Sequence, residues 1–174
     1  LSVPNSGTLN QWAWNFGDGS QSVQQNPLHQ FTNPGTYNVT LLVSTAGGCT
    51  DSITKQVTIY SLPVAAFSGV DVCEGAVTDF TDLSSVVGNN LSGWQWDFGD
   101  GQIETAIKSP QHVYNETGTY DVSLIVYSTN QCVDTVQKQV KIFDFPIVDF
   151  DVSQTQCVGK EIQFTDISTT NDGT

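Results

Sequence analysis

Trp12-Ala13-Trp14-Asn15-Phe16-Gly17-Asp18-Gly19 and Trp94-Gln95-Trp96-Asp97-Phe98-Gly99-Asp100-Gly101 are two copies of one pattern, 82 residues apart. The duplication continues downstream: Pro27, His29, Phe31 and Gly35-Thr36-Tyr37 return 83 residues later as Pro110, His112, Tyr114 and Gly118-Thr119-Tyr120, and Cys49 returns as Cys132. A further partial copy follows, with Pro63 and Phe67 recurring as Pro146 and Phe150, and Cys73 and Phe80-Thr81-Asp82 as Cys157 and Phe164-Thr165-Asp166. A period near 83 residues exceeds the roughly 20 to 50 of a solenoid unit and suits a small domain with its own core. The phase of the repeat predicts three units, 1–61, 62–145 and 146–174. The first is expected to lack its N-terminal part and the third its C-terminal part, as in a piece of a longer chain.

Within each copy the apolar residues alternate with polar ones. Tyr37, Val39, Leu41 and Val43 do so, as do Tyr120, Val122, Leu124 and Val126. A period of two marks strands with one buried face. Val57 and Ile59, and then Val140 and Ile142, continue the alternation after short turns, so each pair reads as a hairpin. No helical periodicity competes, and short strands punctuated by Gly, Pro, Asn and Asp indicate an all-β sandwich.

Five basic residues against eighteen acidic ones give a net charge of −13, which removes the electrostatic footing for binding a phosphate backbone. Nucleic acid is therefore not an expected partner. No apolar run approaches the roughly 18 residues of a membrane-spanning helix.

The ordered words W-x-W-x-F-G-D-G, N/S-P-x-H-x-F/Y and P/T-G-T-Y-x-V-x-L, each present twice, resemble the PKD repeat, a seven-stranded immunoglobulin-like sandwich of extracellular proteins. The resemblance implies tandem immunoglobulin-like PKD domains arranged head to tail. It places strand A near Val64–Gly69, B near Val77–Leu83, C from Trp94, F from Tyr120, and G up to about Phe143. Trp14, Phe16 and Tyr37, with their counterparts Trp96, Phe98 and Tyr120, are then expected as core residues. The two glycines of F-G-D-G suit a sharp turn, and each Tyr suits a hydrogen bond back across a corner.

The chemistry-bearing residues read first as scaffold. Asp97 and Asp100 are the calcium candidates, but two carboxylates supply only part of the roughly six to eight oxygens that calcium takes; no other cofactor is expected. His29 and His112 lack ligands at metal spacing. No catalytic residue is expected, because prominent Ser, Asp and His recur in identical settings, whereas catalysis needs one pocket with converging groups. The tryptophan pairs could stack on sugars, yet their same-face spacing argues for core.

Cys49, Cys73, Cys132 and Cys157 show no zinc spacing and are disulfide candidates in an extracellular setting. The implied strand order puts Cys73 and Cys132 at opposite ends of a sandwich, which favours bridges between neighbouring repeats. A Cys73–Cys132 bond within one repeat is the rival, decided by a Cα separation of about 4.4 to 6.8 Å. Asp51-Ser52-Ile53 and Asp134-Thr135-Val136 resemble the D-S/T-aliphatic O-glycosylation word of Bacteroidetes, which makes Ser52 and Thr135 candidate acceptors. Large surface proteins of that phylum carry Cys-bearing PKD repeats, which links the chain by resemblance to type IX secretion, gliding and adhesion.

Two functions follow. One is a spacer or shaft in a secreted or cell-surface adhesin or filament, whose partners are neighbouring repeats. The proline linkers Ser61-Leu62-Pro63 and Asp144-Phe145-Pro146 would limit hinge freedom and make such a shaft semi-rigid. The other is an accessory module of a secreted hydrolase that binds surface glycans or proteins. An enzyme is the least favoured reading.

Overall fold

The computed structural model describes residues 8–153 and 158–170. The Cα positions divide the chain into two compact units, Leu1–Ser61 and Leu62–Thr174. Every element among the described residues is a strand.

In the first unit, β1 (Leu9–Asn15), β2 (Gln21–Ser22), β3 (Gly35–Thr45) and β4 (Thr50–Ile59) form one antiparallel sheet in the order β2-β1-β3-β4. The alternating segments form the long hairpin β3–β4, with Gly35 opposite Ile59 and Ser44 opposite Thr50. Phe16 and Val43 are buried, while Trp14 and Tyr37 are half-buried. Val57 and Ile53 are exposed. The expected core of this unit is thus only partly enclosed by described residues.

The second unit opens with β5 (Phe67–Ser68), β6 (Val72–Cys73), β7 (Val77–Asp79) and β8 (Thr81–Asp82). It continues through β9 (Leu91–Asp97), β10 (Ile103–Thr105), β11 (Gln111–Val113), β12 (Gly118–Ser128) and β13 (Val133–Phe143). One sheet has the order β10-β9-β12-β13-β6, and the pairs β5–β8 and β7–β11 form the other layer. Alternation along β12 buries Val122, Leu124 and Val126 on the inner face, and Val140 and Ile142 of β13 join them. Phe67 and Phe80 from the opposite layer close on Trp96, with ring centroids 5.1 and 5.6 Å away. Trp96 is fully buried and Phe98 is 3% exposed. This is the jigsaw packing expected where two sheets face each other.

β6 runs parallel to the end of β13, with Val72 opposite Ile142 and Cys73 opposite Phe143. The last strands, β14 (Phe150–Val152) and β15 (Phe164–Asp166), pair antiparallel. Phe150 opposite Asp166 repeats Phe67 opposite Asp82 of the β5–β8 pair.

Candidate functional site

The residues that carry chemistry gather at the F-G-D-G turn that follows β9. Here the backbone doubles back, and Phe98 N–H donates to the Gln102 carbonyl at 3.1 Å. Asp97 Oδ1 accepts from Gly99 N–H and Asp100 Oδ1 from Gln102 N–H, both at 3.0 Å. Gly99, at φ +79, lies so close to β12 that a Cβ there would fall 2.7 Å from the Asp121 carbonyl oxygen. Only glycine combines that φ with that approach.

The second carboxylate oxygen of Asp100 lies 2.7 Å from His112 Nε2. The imidazole lies flat on Phe98, 4.0 Å between centroids and 2° between planes, and meets Tyr114 edge-on at 4.5 Å. Tyr114 packs on Tyr120 at 4.3 Å and donates its hydroxyl to the Phe98 carbonyl at 3.0 Å. Tyr120 in turn donates to the Glu116 carbonyl at 2.9 Å, closing the corner. Burial, with Asp100 as a lesser cause, pushes the Tyr114 phenol well above its usual range.

The first unit builds the same ladder. Asp18 Oδ2 is 2.7 Å from His29 Nε2, His29 stacks on Phe16 at 4.0 Å, and Phe31 and Tyr37 follow. Asn15 replaces Asp97 without loss, because its side-chain oxygen accepts from Gly17 N–H at the same 3.0 Å. Hydrogen bonds from the Ser20 hydroxyl and amide, ahead of those from His29, hold the Asp18 carboxyl down at about 2.

Ser20, His29 and Asp18 resemble a nucleophile, base and orienting acid, but the geometry does not work. The serine hydroxyl, at 3.3 Å, and the carboxylate both approach Nε2 of the same ring. A relay needs the two partners on different ring nitrogens. The second copy has Gln102 in place of Ser20. Asp97 is turned onto its own loop and Asp100 is shared between that loop and His112, and among the described residues no three metal-ligating side chains come together.

Of the tryptophans, Trp96 is fully buried and donates its indole N–H to the Ile107 carbonyl at 3.1 Å. Trp94 is half-buried and donates to Asp82 Oδ2 at 2.9 Å, while Lys108 Nζ sits 5.8 Å from its ring. Trp94 borders a shallow depression with Ser84, Ser85, Asn89 and Asn90.

Cys49, Cys73 and Cys132 are free thiols, and Cys157 lies outside the described residues. Cys73 pairs with Phe143 at one end of β13, and Cys132 precedes Val133 at the other. The 11 residues between them, at about 3.3 Å each, separate the two by roughly 35 Å. A bond between them inside one repeat is out of reach. Ser52 and Thr135 lie exposed on β4 and β13. The neighbouring Asp134 has a structural task, because its Oδ2 accepts from the Ala65 amide at 2.8 Å and ties the first segment of the unit to β13.

The sequence did not reveal these long-range partners. Asp82 for Trp94, Asp134 for Ala65 and Asp100 for His112 are visible only once the layers are stacked. Their one trace in the sequence is recurrence: Asp51 and Asp134, Asp18 and Asp100, and Asp82 and Asp166 are matched pairs.

A family model for the PKD domain matches residues 1–61 and again residues 60–142. The chain belongs to the PKD domain family. Two PKD domains stand in tandem, and the PKD domain is a non-catalytic, immunoglobulin-like module. Human polycystin-1 is 30% identical over 162 residues, covering 75% of this chain. Collagenase ColA of Clostridium perfringens is 37% identical over 54 residues, 31% of this chain. The chain spans 4% of the former and 5% of the latter. Among solved structures, the PKD1 domain of the Vibrio cholerae metalloprotease PrtV is 33% identical with a TM-score of 0.43, covering 47% of this chain and 96% of that one.

Proposed function

We propose that this chain is a structural repeat segment, a spacer or shaft of an extracellular or cell-surface adhesin or filament. The observation that carries the reading is the way the central unit ties its beginning to its end. β6 lies parallel to the end of β13, the Glu74 amide donates to the Phe143 carbonyl at 2.9 Å, and the Lys141 amide donates to Asp71 Oδ1 at 2.8 Å. Tension that draws the two ends of the unit apart loads these bonds lengthwise and together, where an antiparallel edge would unzip one bond at a time. Duplication of the Asp-His-aromatic ladder supports the same reading, since its polar groups already engage one another and the turn.

In this reading the repeats occupy 1–61, 62–145 and 146–174, and Cys73 and Cys132, at opposite ends of a unit, suit bridges to neighbouring repeats. An outside location agrees with relatives such as a collagenase and a metalloprotease. The link to Bacteroidetes, with type IX secretion and gliding, rests on the cysteine-bearing repeats and the Ser52 and Thr135 words alone.

A second reading, an accessory module of a secreted hydrolase that binds glycan or protein, is favoured by those same relatives and by the half-open Trp94. Titration of the chain with a glycan panel and with collagen peptides separates the two. The spacer reading expects no saturable binding to either. Saturable binding that Trp94→Ala removes, while the circular dichroism spectrum and melting curve stay unchanged, would establish the accessory reading instead.

A further inference from the structure

β10 is the outer strand of the five-stranded sheet of the central domain, with β9 as its one neighbour. Its register shows which backbone groups are left over. Phe98 N–H donates to the Gln102 carbonyl and Ala106 N–H to the Trp94 carbonyl at 2.9 Å, so the main-chain groups at 102, 104 and 106 face β9. In an antiparallel ladder bonded and non-bonded positions alternate. The N–H and C=O groups of Ile103 and Thr105 therefore point away from the sheet. The chain leaves β10 through Ala106 at φ +80, and no described strand pairs with this edge. Beside it, the gap between the two layers opens into a groove of about 630 Å³. Phe80 and Pro110, both buried, give the groove apolar surface, and Asp79 of β7 and Glu104 of β10 line it from the two layers. Glu104 is paired across the ladder with Trp96, which places its side chain on the layer-facing side. It is half-buried and, among the described residues, has no hydrogen-bond or ion-pair partner. On the other face of the strand, Ile103 is 59% exposed.

We infer that β10 is a docking edge for an extended, lysine- or arginine-bearing segment of another protein, which adds to the sheet as a further strand. Side chains of such a strand alternate between its two faces. Every second one enters the groove, and the others lie beside Ile103. A cation in the groove meets Glu104 and Asp79, of which Asp79 spends only Oδ1 on the Gln111 amide, at 2.7 Å. An apolar residue suits the Ile103 side. Main-chain bonds supply the affinity and the groove supplies the selection, as in other strand additions. Charge decides the occupant. A second copy of this chain would bring its own −13 charge, and an antiparallel pair of β10 strands would set Glu104 near Glu104. A cationic segment is instead drawn in. The first domain has Gln21 and Ser22 at the register positions of Ile103 and Glu104, so the site belongs to the central domain. The inference goes beyond the spacer reading and does not depend on it, since the edge is equally open in an accessory module.

Calorimetric titration of the full chain with the blocked peptide acetyl-Lys-Val-Lys-Val-Lys-Val-amide tests it, at physiological salt so that long-range attraction to the −13 charge is screened. Saturable binding is expected, with the amides of Ile103 and Thr105 becoming protected from hydrogen exchange. The same peptide N-methylated throughout keeps its charge and loses its N–H groups, and should bind at least about 10-fold more weakly. Glu104→Gln should also weaken binding by about 10-fold. Thr105→Pro removes an outward N–H at an edge, where proline is tolerated, and should abolish the protection of Ile103. Melting curves confirm the fold of both variants, and Glu104→Gln decides alone if the proline variant does not fold. Absence of saturable binding would overturn the inference. So would equal binding of the N-methylated peptide, which would reduce the effect to charge, or an affinity that Glu104→Gln leaves unchanged.

Discussion

Replacing Trp96 with alanine is expected to lower the stability of the central PKD domain by about 3 to 5 kcal/mol, the usual cost of deleting a core aromatic. The side chain is fully buried, meets Phe67 edge-on at 5.1 Å and lies 5.6 Å from Phe80. Its loss leaves a cavity between the two layers and removes the donor that satisfies the Ile107 carbonyl. A domain of this size has a total stability of about 5 to 15 kcal/mol, so the change removes a large part of it. Urea unfolding should show a lower midpoint for the central domain at an unchanged slope. Trp14→Ala, at the equivalent but half-buried position, should cost distinctly less. An unchanged midpoint for Trp96→Ala would mean that the inner face of β9 is not where the structure puts it.

Gly99→Ala should destabilise the central domain by roughly 2 to 5 kcal/mol. Two costs combine: about 1 to 2 kcal/mol for placing an L-residue in the left-handed region, and about 1 to 3 kcal/mol for forcing atoms into packed space. The added methyl would sit 2.7 Å from the Asp121 carbonyl oxygen and 3.1 Å from its amide nitrogen. Both are backbone atoms of β12 and cannot rotate away. Gly101 provides the control, because its φ is +91 with nothing within 4 Å of a built Cβ. Gly101→Ala should therefore show only the conformational cost, and the difference between the two variants reports the close approach of the turn to the strand. Equal losses in thermal or urea unfolding would show that the turn does not press on β12.

Much of the fold was legible because it is periodic. Val122, Leu124 and Val126 announce a strand with one buried face, and Trp94 and Trp96 share a side of β9 as their spacing requires. The Cα positions separate two compact units, Leu1–Ser61 and Leu62–Thr174. Other features had no local signal. β6 is two residues long, and its parallel pairing with β13 depends on a partner about 70 residues away. The strand across from β11 is split into β7 and β8 at Phe80, whose amide turns to the Pro110 carbonyl so that the ring can enter the core. Ala106 adopts φ +80 without being glycine, and no sequence rule marks it.

The candidate site was legible in its residues but not in their partnerships. F-G-D-G reads as a turn from glycine and aspartate alone. That Asp100 also reaches His112, and that the imidazole lies flat on Phe98, follows only from the loop bringing β11 over the turn. Half-exposure of Trp14 is a tertiary outcome as well. Its sequence setting matches that of Trp96, and the covering layer, not the local pattern, separates the two.

The spacer reading is tested most directly by pulling the chain from its two ends in a single-molecule instrument. A sandwich clamped by β6 against β13 should resist and then yield in one step, with a contour-length gain of roughly 240 Å, the extended length of its 62–143 segment less the span of the folded domain. The force at that step reports the unfolding barrier, not the equilibrium stability. Asp71→Ala, which removes the side chain that holds the Lys141 amide, should lower the force while leaving the urea midpoint nearly unchanged. Gradual extension at low force with no discrete step would contradict the account, and so would a step whose force is indifferent to Asp71.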